Sequence, residues 1–157
     1  MAEQYSIKDC RIEAVMWVVY RDSNVVIEKR PPHPTKANVC LPAGHIDLNV
    51  DTGDDYIEKA FLRESQEEFV EGAFKPTKWE YLKAIDFEET ERDGSLTKLR
   101  LHYFLVTEWE GEIPTYTVEH NGKHADLEWM PIADYAKLPQ ECDREALERI
   151  LSREKSD

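Results

Sequence analysis

Arg63-Glu64-Ser65-Gln66-Glu67-Glu68, inside the run 54–69, decides the reading of this chain. The run has no glycine or proline after its first residues and carries acidic side chains in its opening turn, where the helix dipole favours them. It is therefore expected as a helix. At about 100° per residue, Ala60 and Phe61 fall within about 60° of Ile57 and form an apolar face. Continued along the helix, that face meets Glu64, Glu67 and Glu68. The i, i+3, i+4 spacing sets these three carboxylates side by side on the inward-facing surface. Close anions there repel one another and are pushed toward protonation. A hard divalent cation, Mg²⁺ or Mn²⁺, relieves the conflict, because such ions take carboxylate oxygens and complete their shell with water and substrate phosphate. The competing reading is a solvated acidic helix face, which spacing alone leaves open.

Outward from this helix the pattern is mixed. Residues 12–20 read as a buried strand rich in valine and aromatics, and 25–29 as its return after the turn Asp22-Ser23-Asn24. Pro31, Pro32 and Pro34 exclude regular structure just beyond. Leu41-Pro42-Ala43-Gly44 leads into a polar loop, 45–53. Strands are expected at 79–87, 96–107 and 127–130, with Asp93-Gly94 as a hairpin signal. A last helix spans 143–153, with Ala146, Leu147, Ile150 and Leu151 as its apolar stripe. The fold class is therefore α+β, or a layered α/β/α arrangement with a mixed β-sheet between helices.

The 157 residues suit one domain, 1–157, with short flexible ends at about 1–9 and 154–157. A net charge of −13 excludes the basic stripe that long nucleic acid requires, and it disfavours an anionic membrane surface. A phosphate-bearing small molecule stays compatible if a cation lies between it and the carboxylates. The longest apolar run, 14–20, is too short to span a bilayer, and residues 1–9 give no sign of a signal peptide. Three widely spaced cysteines, Cys10, Cys40 and Cys142, point to reduced thiols and a cytoplasmic location. A homodimer is compatible with all of this.

The hexapeptide resembles the core of the Nudix box, as in MutT-like hydrolases. Leu41-Pro42-Ala43-Gly44-His45-Ile46-Asp47 resembles the box's opening strand and glycine loop. Gly53-Asp54-Asp55 resembles the step before the helix. Glu108-Trp109-Glu110-Gly111-Glu112 resembles the strand after the box in MutT-like members, and Leu127-Glu128-Trp129-Met130-Pro131 the late strand. The likeness runs from about 11 to about 151. Several positions depart from it. Ten residues separate Gly44 from Asp55 where the box has five, so the loop carries an insertion of five. Asp55 replaces the glutamate that helps to hold the loop. Ser65 fills an aliphatic position. Val70 replaces the glycine that ends the helix; since valine resists the left-handed conformation, the helix is expected to run on to Glu71-Gly72.

The resemblance implies Mg²⁺, with Mn²⁺ as a substitute, on Glu64, Glu67 and Glu68. It implies a structural Arg63 that pairs with box carboxylates, a backbone carbonyl ligand near Gly44, and one further glutamate, best matched by Glu119. Glu67, Glu64 or Glu119 then serves as general base. Arg30 and His45 are candidate phosphate contacts, although a capping arginine and a solvent-facing histidine are the blander alternatives. Trp17, Tyr103 and Phe104 are aromatic enough to stack on a base, but strand aromatics are more often core. His120 and His124 show no zinc spacing, and Asn121-Gly122 reads as a turn. The implied activity is cleavage of a nucleoside diphosphate linked to another moiety. A nucleoside triphosphate is favoured by Glu108–Glu112; ADP-ribose, nucleotide sugars and dinucleoside polyphosphates are the alternatives within the enzyme class. A nucleotide-binding module without catalysis is the alternative outside it. The inserted loop is expected to touch only the approach to the site, so that trimming residues 48–52 would alter substrate preference and spare metal dependence.

Overall fold

The computed structural model describes residues 2–119 and 122–156. Nine strands and two α-helices follow in the order β1 (Ile7–Lys8), β2 (Arg11–Arg21), β3 (Asn24–Lys29), β4 (Val39–Cys40), β5 (Ala43–His45), α1 (Tyr56–Glu68), β6 (Phe74–Thr90), β7 (Leu96–Gly111), β8 (Tyr116–Glu119), β9 (Gly122–Pro131) and α2 (Glu141–Ser156), with a 3₁₀ segment at Ile132–Lys137. The sheet runs β6-β7-β2-β3-β9-β8, with β1 and β5 against β2 and β4 against β3. β2 and β7 pair parallel from Ile12–Leu99 to Val19–Val106, and the other pairings are antiparallel. The sheet is therefore mixed, in an α+β fold with a helix on each face.

Period-two alternation in β2 explains the two cores. Val15, Trp17 and Val19 turn to the α1 face and join Ala60, Phe61 and Phe69. Ala14, Met16 and Val18 turn to the α2 face and join Ala146, Leu147 and Ile150. Phe61 stacks on Phe104 with centroids 4.3 Å apart, and Trp17 meets Phe69 edge-on at 5.7 Å. Each such side chain contributes about 1.5–3 kcal/mol on burial. Trp17, Tyr103 and Phe104 are all buried in this way, so the blander reading of these aromatics holds.

Three expectations are corrected. Residues 2–8 are not a loose end: Ile7–Lys8 pairs with β2, Tyr5 bridges to Asp47, and buried Ser6 donates to Glu13 at 2.6 Å. The burial of Glu13 calls for this, since its carboxylate also accepts from Tyr56 at 2.7 Å and pairs with His102 at 2.7 Å. At the other end α2 continues to Ser156. Finally, α1 stops at Glu68, and Val70 takes the left-handed conformation that its branching resists, with φ of 61°. Buried Phe69 and Phe74 flank this turn with ring centroids 5.1 Å apart, and their packing holds Val70 there. Met1, His120, Asn121 and Asp157 lie outside the described residues, so the turn read at Asn121-Gly122 does as well.

Candidate functional site

The C-terminal half of α1, the end of β3, β5 and β8 enclose a cleft of about 890 Å³. The carboxylates and phosphate contacts expected from the sequence line it: Glu64, Glu67, Glu68, Glu119, Arg30, Gly44 and His45. On α1 the burial is uneven. Glu64 and Glu68 are buried, whereas the Glu67 side chain is 53% exposed, so the acidic stripe is rotated relative to the apolar face. Ser65 takes the buried place instead, its hydroxyl donating to the Leu62 carbonyl at 3.3 Å.

Burial lifts the Glu64 carboxyl to about 7 against the pull of Arg63. Burial, reinforced by the carboxylates of Glu119, Glu28 and Glu64, lifts Glu68 to about 9. Glu68 Oε2 is buried without a hydrogen-bond partner. Gly44 leaves room for the Glu64 carboxylate, which a Cβ there would displace. Buried carboxylates that resist ionisation, one with an orphaned oxygen, against a strand kept bare by glycine, are the donor set a hard divalent cation satisfies. The residues fit such an ion. They are not drawn into a finished ligand cage: among the described residues no three His, Cys, Asp or Glu side chains converge as one. Arg63 Nη1 holds Glu64 at 2.8 Å and Glu67 at 3.1 Å.

Arg63 is the structural residue that the resemblance implied, but its main partner was missed. Its Nε and Nη2 grip both oxygens of Asp51, at 3.0 and 2.7 Å, and Nη2 also donates to the His45 carbonyl at 3.2 Å. Asp51 is buried and in turn accepts the Asp47 N–H at 2.9 Å. Asp55, given the loop-holding part from its place in the motif, is exposed and among the described residues its side chain pairs with Lys59 alone, at 3.3 Å. The contact that ties the loop to α1 comes from Asp51, inside the loop. The loop is therefore bound to α1 and does more than shape its approach.

Arg30 is held by Glu28, missed as well, whose Oε2 accepts from Nε at 3.0 Å and Nη2 at 2.8 Å. Glu28 is 1% exposed and its Oε1 has no partner; burial pushes its carboxyl up while Arg30 opposes. A glutamate amid Val25, Val26 and Ile27 was the available signal, since a charge in a buried strand demands a partner. Glu119 pairs with His124 Nδ1 at 3.4 Å, and His45 lies against the Tyr5 ring at 4.9 Å. The cleft also has an apolar lining, from Ala14, Met16, Leu99, Leu101 and Phe87, and Lys36 and Gln140 line it as well.

Comparison with known proteins bears on the family and the fold. A family profile for the NUDIX domain matches residues 11–150. No curated protein sequence matches the chain. Among solved structures, a MutT NUDIX hydrolase from Burkholderia pseudomallei is similar at 25% identity and a TM-score of 0.63, covering 87% of this chain and 95% of that one. The NUDIX domain of Shewanella oneidensis NrtR, solved with ADP ribose, gives 20% identity and 0.61 over 91% and 88%. The mutator MutT protein of Bacillus halodurans gives 19% and 0.65 over 88% and 81%.

Proposed function

We propose that this chain, which belongs to the NUDIX family and is a pyrophosphohydrolase, uses Mg²⁺ to cleave a nucleoside diphosphate linked to another moiety, at the cleft beside α1. The observation that supports this most is the buried pair Glu64 and Glu68 beside exposed Glu67 on one helix end, with Gly44 keeping the facing strand bare.

Glu64, Glu67 and Glu68 would hold the cation, with Mn²⁺ as a substitute. Bound there, the ion would polarise the bridging diphosphate and lower the pKa of an attacking water. Glu67 is the best placed to take that water's proton, because it is the accessible member of the three. Glu119, across the cleft on β8, is the alternative base. Arg63 orients Glu64 and Glu67. Arg30, fixed by Glu28, presents its guanidinium to a phosphate oxygen, with His45 as a second contact. The apolar lining supplies the surface on which a nucleoside lies. In-line attack at one phosphorus yields two phosphate-ended products. Cys10, Cys40 and Cys142 are all free thiols, and we place the protein in the cytoplasm on that ground. No helix among the described residues is long and apolar enough to cross a membrane.

The test is product separation after incubation with a panel of nucleoside diphosphate derivatives, with Mg²⁺ and with chelator. Cleavage at the diphosphate only in the presence of metal is expected. Tight nucleotide binding without any turnover would favour a non-catalytic binding module instead.

A further inference from the structure

Asp143, in the first turn of α2, is a fully buried acid that does not line the cleft. It shares the helix face of Ala146, Leu147 and Ile150, which enter the core. Among the described residues it forms no ion pair; its carboxylate accepts the Tyr103 hydroxyl at 2.7 Å and the Leu41 N–H at 3.1 Å, and the Cys142 thiol lies 4.0 Å away. Burial lifts the carboxyl to about 6. A carboxylate buried without a cation costs stability that an apolar residue of similar size would not. The bond to Leu41 accounts for its presence.

Val39–Cys40 pairs with β3 and Ala43–His45 with β2, so the chain crosses from one strand to the other at Leu41-Pro42. Pro42 has no N–H to give, and its carbonyl accepts the Trp17 N–H at 3.2 Å. The N–H of fully buried Leu41 finds its acceptor outside the sheet, in Asp143. The β5 strand that follows has three residues, with Gly44 opposite Val15. A strand this short, with a glycine at its centre, specifies its register weakly. A slip of one residue would set the side chain of Ala43 or His45 where Gly44 stands, in the space of the Glu64 carboxylate.

We propose that Asp143 is a positioning residue for the reaction: by holding the Leu41 N–H it sets the register of β5 and keeps Gly44 opposite Glu64. The inference rests on the reading of the α1 carboxylates as the metal site. The bond to Tyr103 has a separate part, tying α2 to β7.

Three variants separate the two bonds. Asp143→Leu removes both and keeps the volume apolar. Tyr103→Phe removes only the hydroxyl. Asp143→Asn keeps both partners, because its Oδ1 accepts from Leu41 while its Nδ2 donates to the Tyr103 oxygen. Each is measured for unfolding free energy, for Mg²⁺ binding by calorimetry without substrate, and for kcat on the best-cleaved diphosphate derivative. Asp143→Leu should bind Mg²⁺ about tenfold more weakly and lose about tenfold or more in kcat. Asp143→Asn should recover most of both. Tyr103→Phe should lose stability and stay close to the wild type in Mg²⁺ affinity and kcat. A folded Asp143→Leu protein that binds Mg²⁺ and turns over like the wild type overturns the proposal. An equal loss in Tyr103→Phe overturns it too, since the effect would then be one of α2 packing alone. If Asp143→Leu does not fold, amide exchange decides: the Leu41 N–H should exchange faster in Asp143→Asn, where a neutral acceptor replaces a charged one, than in Tyr103→Phe. Equal protection in the two overturns the proposal. All these failures leave the wild type active; a wild type that neither binds Mg²⁺ nor cleaves any derivative ends the reading of the site itself, and the inference with it.

Discussion

The guanidinium of Arg63 closes on the carboxylate of Asp51 through two hydrogen bonds, Nε to Oδ1 at 3.0 Å and Nη2 to Oδ2 at 2.7 Å. The pair fastens the loop before α1 to the helix whose carboxylates are proposed to carry the chemistry. Asp51 is fully buried, whereas Arg63 is partly exposed and has other partners, so the loss on breaking the pair lies below the fully buried case. Asp51→Asn should lower the unfolding free energy by about 1–3 kcal/mol. Chemical denaturation measures this directly; an unchanged midpoint would mean that the loop is only resting on the helix.

Removal of residues 48–52 follows from the same contact. Asp51 lies within that segment, so the deletion frees Arg63 to pair more closely with Glu64 and Glu67. The trimmed protein should need more Mg²⁺ for half-maximal activity, by about tenfold. This reverses what the sequence suggested, namely a change in substrate preference with metal dependence intact. A titration of rate against Mg²⁺ that superimposes on the wild type would restore the earlier view.

Metal and pH should act on stability together. Glu64 and Glu68 hold their protons more tightly in the folded chain, at about 7 and about 9, than at the ordinary carboxylate value of 4.5. Between 4.5 and those values the native state binds more protons than the unfolded state, so metal-free stability falls as pH rises. The fall is complete once both groups ionise. Bound Mg²⁺ requires the ionised form and offsets the fall, adding about 2.7 kcal/mol at a concentration of a hundred Kd. The rise in Tm on adding Mg²⁺ should therefore be larger above about pH 9 than below about pH 7. A rise independent of pH would place the ion away from these two carboxylates.

Val70 offers a test of the helix end. Its φ of 61° costs a β-branched residue about 1–3 kcal/mol. Glycine removes that strain but loses conformational entropy worth about 0.5–1 kcal/mol. Val70→Gly should therefore stabilise the protein, by roughly 0.5–1 kcal/mol, with activity unchanged. Destabilisation by thermal or chemical unfolding would show that the half-buried side chain matters more than the backbone.

The parts of this account legible in the sequence were those set by periodicity and by the box residues. The strands β2, β3, β7 and the helices announced themselves through apolar spacing, and the candidate residues Glu64 to Glu119 line one cleft. Short elements did not. β1, β4 and β5 have two or three residues each, below the length at which alternation is visible, and they are ordered by pairing with β2 and β3. Partnerships across the chain were equally hidden. Asp51 looked like one of several loop acids, because what distinguishes it is the position of Arg63 twelve residues later in three dimensions. Glu28 could be seen as anomalous in its strand, but not as the residue that holds Arg30 in the cleft.

The central claim is that carboxylates on α1 carry out metal-dependent diphosphate cleavage, and Glu67→Gln tests it most directly. The Glu67 side chain is exposed and among the described residues its carboxylate is bonded to Arg63 alone, so the amide should leave unfolding free energy within about 0.5 kcal/mol of the wild type. With the fold verified in this way, kcat toward the best-cleaved diphosphate substrate at saturating Mg²⁺ is expected to fall by roughly 10²–10⁴-fold. Undiminished turnover by a folded Glu67→Gln protein would contradict the account and move the reaction away from this helix.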